Sequence, residues 1–134
     1  MAITEYIPQR PPFVMVDCLV ESNENSALTM WVVPADGILV DEGQLQAAGL
    51  LENVAQTAAA WIGKLSQEKG EPIRIGYIGA VKEMNIHRLP KAGETIRTKI
   101  EVVEKVFDIT LVRAAVYSEN NEAVAETDLK IALV

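Results

Sequence analysis

The stretch from Gln44 to Gln67 constrains the fold more than any other part of the chain. It is rich in alanine and leucine, which favour helix, and a polar turn with Gly70 and Pro72 follows it. Apolar residues occur on nearly every face of this predicted helix, which indicates that most of it is buried. One carboxylate, Glu52, interrupts the apolar surface. Since an unpaired buried charge is costly, Glu52 is predicted either to reach a partner or to take part in chemistry.

The segments on both sides of this helix have the length, composition and alternation of β-strands. The predicted strands are Phe13–Glu21, Ser26–Val33, Ile73–Val81, Glu83–Leu89, Glu94–Val106, Ile109–Tyr117 and Ala123–Val134, and Pro34–Gly43 is irregular. One antiparallel sheet wrapped around one helix is the simplest arrangement that buries such a helix. No linker or repeat divides the sequence, so we predict a single α+β domain over residues 1–134.

Charge and composition exclude several classes of protein. The net charge is −7 and no block of lysine or arginine is present, so nucleic-acid binding is not expected, although a small basic patch at Arg88 and Lys91 stays open. No apolar run has the length of a membrane span, and the first residues do not resemble a signal peptide. A single cysteine, Cys18, excludes an internal disulfide and favours a reducing, cytoplasmic location.

The sequence also lacks the patterns of common cofactor sites. One histidine and one cysteine cannot form a usual zinc site, and neither a phosphate-binding glycine loop nor a dinucleotide fingerprint occurs. We therefore predict no metal and no cofactor.

Three segments together resemble the hotdog-fold β-hydroxyacyl-acyl carrier protein dehydratases. These are YIPQRPPFVMVDCLVE at the start, LLENVAQTAAAWIG in the helix, and YIGAVKEMNIHRLPKAGETI after it. They occur in the family's order and span most of the chain, and the helix is most similar to the branch attached to aryl polyene synthesis. The resemblance implies a long helix wrapped by a curved antiparallel sheet. It also implies a homodimer or higher homo-oligomer with active sites at the interface, acting on thioesters of acyl carrier protein or coenzyme A.

In that family a histidine removes the α-proton of the substrate and a carboxylate on the partner's helix protonates the departing 3-hydroxyl group. By resemblance, Glu52 matches the catalytic carboxylate and Gln56 the family's glutamine. Ala47 would offer the backbone amide that polarises the thioester carbonyl, a task suited to a helix N-terminus. Gly79 falls in the family's glycine-containing strand and is assigned to substrate binding. Since Gln56 lies one helical turn after Glu52, it could hold the carboxyl group in place, or equally serve as a core hydrogen bond.

The family's histidine motif, Gly-His-Phe-Pro, is absent. Ile38 stands near its expected place and Gln9 replaces a second histidine in the entry segment. The one histidine of the chain, His87, follows the helix near a turn, and we predict that it is partly exposed and beyond hydrogen-bond reach of Glu52 on either subunit. A loop carboxylate, Asp36 or Asp41, or an ordered water is then the alternative base.

Three functions remain open. The first is a 3-hydroxyacyl-acyl carrier protein dehydratase-like enzyme of fatty-acid or polyene-type synthesis. The second is a thioesterase that uses Glu52 as base or nucleophile. The third is a non-catalytic hotdog protein that binds an acyl chain or pairs with an active homologue. Trp31, Trp61 and Phe13 are expected to fill the core, with the lining of an acyl tunnel as the alternative, and Asp17 is expected to be structural.

Overall fold

The computed structural model describes residues 2–72 and 76–133 and contains one long helix and nine strands in that part of the chain. In order they are β1 (Cys18–Ser22), β2 (Ser26–Val32), β3 (Val40–Asp41), β4 (Gln44–Leu45), α1 (Ala47–Glu68), β5 (Gly76–Val81), β6 (Asn85–Ile86), β7 (Thr95–Val106), β8 (Ile109–Ser118) and β9 (Ala123–Leu133). A short 3-10 helix, Ile3–Glu5, precedes them.

Seven strands form one antiparallel sheet in the order β1-β2-β7-β8-β9-β5, and β6 pairs with β9 beside β5. Strands β7, β8 and β9 alternate between buried side chains and more exposed ones over much of their length, so one face of the sheet is buried and mainly apolar. Helix α1 packs on that face, and Leu50, Val54 and Trp61 meet Ile96 and Val112 in a single core. A long helix against a curved antiparallel sheet is the hotdog fold, so the predicted α+β hotdog class is confirmed.

The entry segment differs from its prediction. Regular strand begins at Cys18, not at Phe13. The cause is that side chains of α1 bind the backbone of this segment: Met15 N donates to Gln56 Oε1 and Met15 O accepts from Asn53 Nδ2. The entry segment is therefore extended, but its backbone hydrogen bonds are made with side chains of a helix. In a regular strand they would be made with a neighbouring strand.

Other boundaries also move. The helix begins at Ala47, because residues 44–45 form β4 and pair with β3. The predicted strand 83–89 is reduced to Asn85–Ile86. Of the predicted strands 73–81 and 123–134, residues 73–75 and 134 lie outside the described residues.

The expectations about burial are met in part. Most residues of α1 are buried, as predicted, while Ala47, Ala48 and Leu51 are exposed in the single chain. Phe13 is 57% exposed, whereas Trp31 and Trp61 lie in the core as predicted. Asp17 has the expected structural role, because its Oδ2 accepts a hydrogen bond from Val32 N at 2.8 Å.

The beginning of the chain is fixed on the second half of α1. A small apolar cluster joins Ile3, Tyr6, Ile7 and Val16 to Ala60 of the helix. Nearby, a Cβ atom on Gly63 would come within 2.3 Å of the Tyr6 carbonyl oxygen. Only glycine permits this contact, so the helix and the entry segment approach backbone to backbone.

Among the residues that the structure describes, no helix has both the length and the apolar content needed to cross a bilayer.

Candidate active site

Glu52 and Gln56 lie one turn apart on α1 and are joined by a hydrogen bond. Gln56 Nε2 donates to Glu52 Oε1 at 3.0 Å and to the Phe13 carbonyl at 2.7 Å. Gln56 Oε1 accepts from Met15 N at 2.6 Å, which requires the amide oxygen on that side and so fixes the NH₂ group towards Glu52. Gln56 is fully buried. It therefore has both roles considered for it, a core hydrogen bond and a support for the carboxylate.

Glu52 is partly buried and has one oxygen in use. Oε1 accepts the Gln56 bond, and Oε2 has no hydrogen-bond partner within residues 2–72 and 76–133. Ala48, Ala55 and Ala59 share its side of the helix by their spacing, and small side chains leave room beside the carboxylate. Glu52 can thus exchange a proton with a group approaching from outside the chain.

The N-terminus of α1 is open. Gln46 precedes the first helical residue in an extended conformation without capping it through its side chain, which instead donates to the carbonyls of Asp41 and Gln44. The first turn carries no acidic residue and Ala47 is exposed. In the described part of the chain no hydrogen bond engages the Ala47 amide. A helix end of this kind attracts a partial negative charge such as a polarised carbonyl oxygen.

Gly79 lies at a β-bulge in β5, where the pairing with β9 shifts between Ile78 and Ala80. It is exposed, and no described contact joins it to Glu52. The structure thus brings Glu52 and Gln56 together and places Ala47 at the start of the same helix, while Gly79 is on the sheet. Binding of substrate by Gln56, Ala47 and Gly79 stays a prediction.

His87 is half-exposed, as predicted for the single chain. Its Nε2 lies 2.9 Å from Glu126 Oε1, and its backbone amide donates to Val124 O. Both partners belong to β9, so the ring is occupied away from Glu52. Asp36 is exposed on the irregular loop before α1, and Asp41 is exposed in β3, the short strand within the segment predicted to be irregular.

Sequence reasoning missed a buried polar network beneath the site. Asn53 accepts a short hydrogen bond from Thr98 Oγ1 and donates to Met15 O. Thr57 bonds both Asn53 O and the Thr29 hydroxyl, at 2.9 and 2.7 Å. The available signal was the spacing of Asn53 and Thr57, which places two polar side chains on one inward face of the helix.

Arg88 does not form a basic patch, because two carboxylates bind it. Its terminal nitrogens donate to both oxygens of Glu94, at 2.9 and 2.5 Å, and its Nε donates to Glu122 at 2.9 Å. The Arg88 hydrogen bonds hold the pKa of Glu94 below its ordinary value, against the opposing effect of partial burial.

The cavity at the other end of α1 does not contain the candidate residues. It measures about 190 Å³ and is lined by Trp61, Leu65 and Phe107 among others. Glu52 and the exposed residues Ala47 and Leu51 do not line this cavity.

A sequence model of the ApeP-like family, described as ApeP dehydratase, matches residues 1–132. The chain belongs to this family. The ApeP-like chain is also 29% identical over 133 residues to the 3-hydroxyacyl-[acyl-carrier-protein] dehydratase FabZ of Clostridium botulinum, covering 95% of this chain and 90% of the relative. The FabZ of Oceanobacillus iheyensis is 27% identical over 111 residues, which are 75% of this chain and 74% of that protein.

Solved structures confirm the fold of this ApeP-like chain. The dehydratase heterocomplex ApeI:P from Xenorhabdus doucetiae superposes with a TM-score of 0.90 at 15% identity, covering 100% of this chain and 91% of that one. A hypothetical thioesterase protein with coenzyme A from Streptococcus pneumoniae gives a TM-score of 0.72 at 11% identity, covering 87% and 84%. At these identities the likeness concerns the fold alone, which dehydratases and thioesterase-like proteins share.

Proposed function

We propose that this ApeP-like chain contributes the acid half of a 3-hydroxyacyl thioester dehydratase site. The observation that carries the proposal is the Glu52 carboxylate, held through Oε1 by a buried glutamine and left open at Oε2. In the reaction a base removes the α-proton, the electron pair forms the 2,3-double bond, and the 3-hydroxyl departs as water after taking a proton from Glu52. The products are an enoyl thioester and water, and no co-reactant is needed.

The helix N-terminus would stabilise the charge that develops on the thioester oxygen during this step. Ala47 is exposed and its amide lies at the positive end of α1. A helix is a single rigid element, so Ala47 and Glu52 keep a fixed separation along it.

The base is proposed to come from a second hotdog subunit. Within one chain His87 is bonded to Glu126. We keep the prediction that it also stays beyond hydrogen-bond reach of Glu52 on a second copy, so two copies of this chain would offer carboxylates without a histidine. The relative from Xenorhabdus doucetiae is named a dehydratase heterocomplex. We therefore propose that a homologous subunit with a histidine covers the exposed helix face around Leu51, and that a homodimer is the less active assembly.

Acyl carrier protein or coenzyme A would carry the substrate, in the cytoplasm. The names of the FabZ relatives support acyl carrier protein, and the coenzyme A in the Streptococcus pneumoniae structure supports coenzyme A. The partner subunit and the shape of the enclosed site would determine which acyl chain lengths are accepted.

A thioesterase is the second candidate, because one observation favours it. Glu52 has a free oxygen but no histidine beside it, and a carboxylate alone can activate water for attack on a thioester carbonyl. The product would then be a free 3-hydroxy acid in place of an enoyl thioester.

The test is to incubate the full chain with a 3-hydroxyacyl thioester, alone and mixed with a histidine-containing FabZ-type homologue, and to separate the products by mass. We expect enoyl product from the mixture at a rate well above that of either protein alone. Free acid that disappears in Glu52→Gln would support the thioesterase. A mixture no faster than the homologue alone would overturn the catalytic role of this chain.

A further inference from the structure

The turn at residues 88–94 is closed by the Arg88–Glu94 ion pair. Besides its two bonds to Arg88, the Glu94 carboxylate accepts from the backbone amide of Lys91 at 3.0 Å. The Glu94 backbone amide donates in turn to the Lys91 carbonyl at 3.0 Å. A fork of two parallel N–H···O bonds is geometrically strict, so this pair fixes the shape of the turn as well as its charge.

This turn holds the segment that leads into α1. Leu45 N donates to Pro90 O at 2.8 Å, and Ala92 N donates to Gly43 O at 2.9 Å. Gln44 and Lys91 face each other as an isolated antiparallel bridge between these two bonds. The lead-in is thus paired to the turn as a short piece of sheet.

The helix begins immediately after the lead-in. Leu45 is completely buried, and Ala47 is the first helical residue two positions later. A shift of the turn would therefore be transmitted to the open end of α1. Glu52 is anchored separately, through Gln56 to the backbone of Phe13 and Met15. The N-terminus of α1 and the Glu52 carboxylate are therefore held in place by different parts of the chain.

We infer that Arg88 and Glu94 are positioning residues for the N-terminus of α1, and that they act through the hydrogen bonds from residues 90–92 to residues 43–45. The inference rests on the proposed function, because it assigns these residues to the placement of the amide that would bind the thioester carbonyl. Neither residue touches substrate. Losing the pair would weaken stabilisation of the developing charge and leave the proton transfer by Glu52 in place.

The experiment compares Arg88→Met with Arg88→Lys and a matched control, Arg113→Met. Arg113 also forms an ion pair, at 3.2 Å with Asp128, but it lies on β8 and its pair makes no bond to the lead-in. Amide hydrogen exchange on the full chain reports directly on the Leu45 and Ala92 hydrogen bonds. The kcat and KM of the complex with the histidine-containing subunit report on the placement of the N-terminus of α1.

We expect exchange at Leu45 and Ala92 to accelerate by about tenfold or more in Arg88→Met, since local opening controls exchange. The kcat of the complex should fall about tenfold with little change in KM, as for an interaction made mainly in the transition state. Arg88→Lys keeps the charge but loses the two parallel hydrogen bonds, so its exchange rates and kcat should lie between those of the wild type and of Arg88→Met. Arg113→Met should match the wild type in both measurements.

Unchanged exchange at both amides, or an equal rise in Arg113→Met, would overturn the inference. Faster exchange with an unchanged kcat in an active complex would also overturn it, because the helix end would then be irrelevant to the rate. If the wild-type complex makes no enoyl product, the proposed function fails and the exchange pattern alone still decides whether the pair holds the lead-in.

Discussion

The two faces of α1 differ in what covers them. On the inward face, Asn53, Gln56 and Thr57 are buried, and each makes hydrogen bonds to the entry segment or to the sheet. On the outward face, Ala47 and Leu51 are exposed and offer only apolar side chains. One chain therefore suffices for the fold but leaves the other side of the helix uncovered. Glu52 lies at the boundary, supported from the inward face and open to the outward one.

The largest effect on activity should come from Glu52, at the boundary between the two faces. Glu52→Gln keeps the shape and the Gln56 contact but cannot donate the acid proton, so the enoyl-forming rate of the complex should fall by about 10²–10⁴, or about 3–5 kcal/mol of barrier. Glu68→Gln is the matched control, since Glu68 lies on the same helix and its ion pair is with Lys64 at 3.7 Å. A loss smaller than about tenfold with an unchanged melting temperature would make Glu52 structural.

The inward face is tested by Gln56→Ala, which leaves Met15 N and Phe13 O without their partner. We expect a loss of about 2–4 kcal/mol in the free energy of unfolding, because buried polar groups without partners are costly. Urea denaturation measures it, with Gln67→Ala on the last turn of the helix as control, expected within about 0.5 kcal/mol of wild type. If Gln56→Ala is as stable as the wild type, the polar side chains of the inward face do not stabilise the fold, and the proposed difference between the two faces is wrong.

The outward face is tested by Leu51→Lys. Leu51 is 36% exposed, so its replacement should change the stability of the isolated chain by less than about 0.5 kcal/mol. Association with the second subunit should weaken at least about tenfold, close to 1.4 kcal/mol. Sedimentation of mixtures checks this, and Val20→Lys on β1, where Val20 is 52% exposed, serves as control. Normal assembly of the Leu51 variant would place the interface elsewhere.

The smallest effect concerns acid stability. Because Arg88 lowers the pKa of Glu94, the ion pair stabilises the fold fully above the ordinary glutamate value of about 4.3 and progressively less as pH falls through the lower folded value. Arg88→Met should therefore lose less stability than wild type between about pH 6 and pH 3. Urea midpoints at the two pH values measure the difference, which should be below about 1 kcal/mol for this partly exposed pair. Equal losses in both proteins would show that the pair contributes nothing.

The sequence predicted the parts of the fold that follow from local pattern. Strands β7, β8 and β9 have regular alternation, and α1 has an unbroken run of good helix formers, so all four were placed within a few residues. The entry segment was misjudged because its backbone is satisfied by Gln56 and Asn53, partners about forty positions away in the sequence. Pattern alone does not show which distant side chain replaces a strand neighbour.

The candidate site shows the same division. Glu52 and Gln56 share a face by simple helical spacing, so their contact was predictable. The exposure of Phe13 was not predictable, because an apolar residue beside a strand gives the same sequence pattern whether it faces the core or lies outside it. The Arg88–Glu94 pair was also missed. Its importance depends on the hydrogen bonds from residues 90–92 to residues 43–45, which the spacing of Arg88 and Glu94 does not reveal.

The attachment of the entry segment to α1 bears on how the protein would respond to proteolysis. Residues 2–7 are held by the apolar cluster and by the contact at Gly63, and residues 13–15 are held by Gln56 and Asn53. The stretch between them, residues 8–12, is exposed or partly exposed. A single cleavage within it would leave the short N-terminal fragment bound to α1 of the large fragment, so the nicked protein should migrate as one species in a native gel and as two fragments only after denaturation.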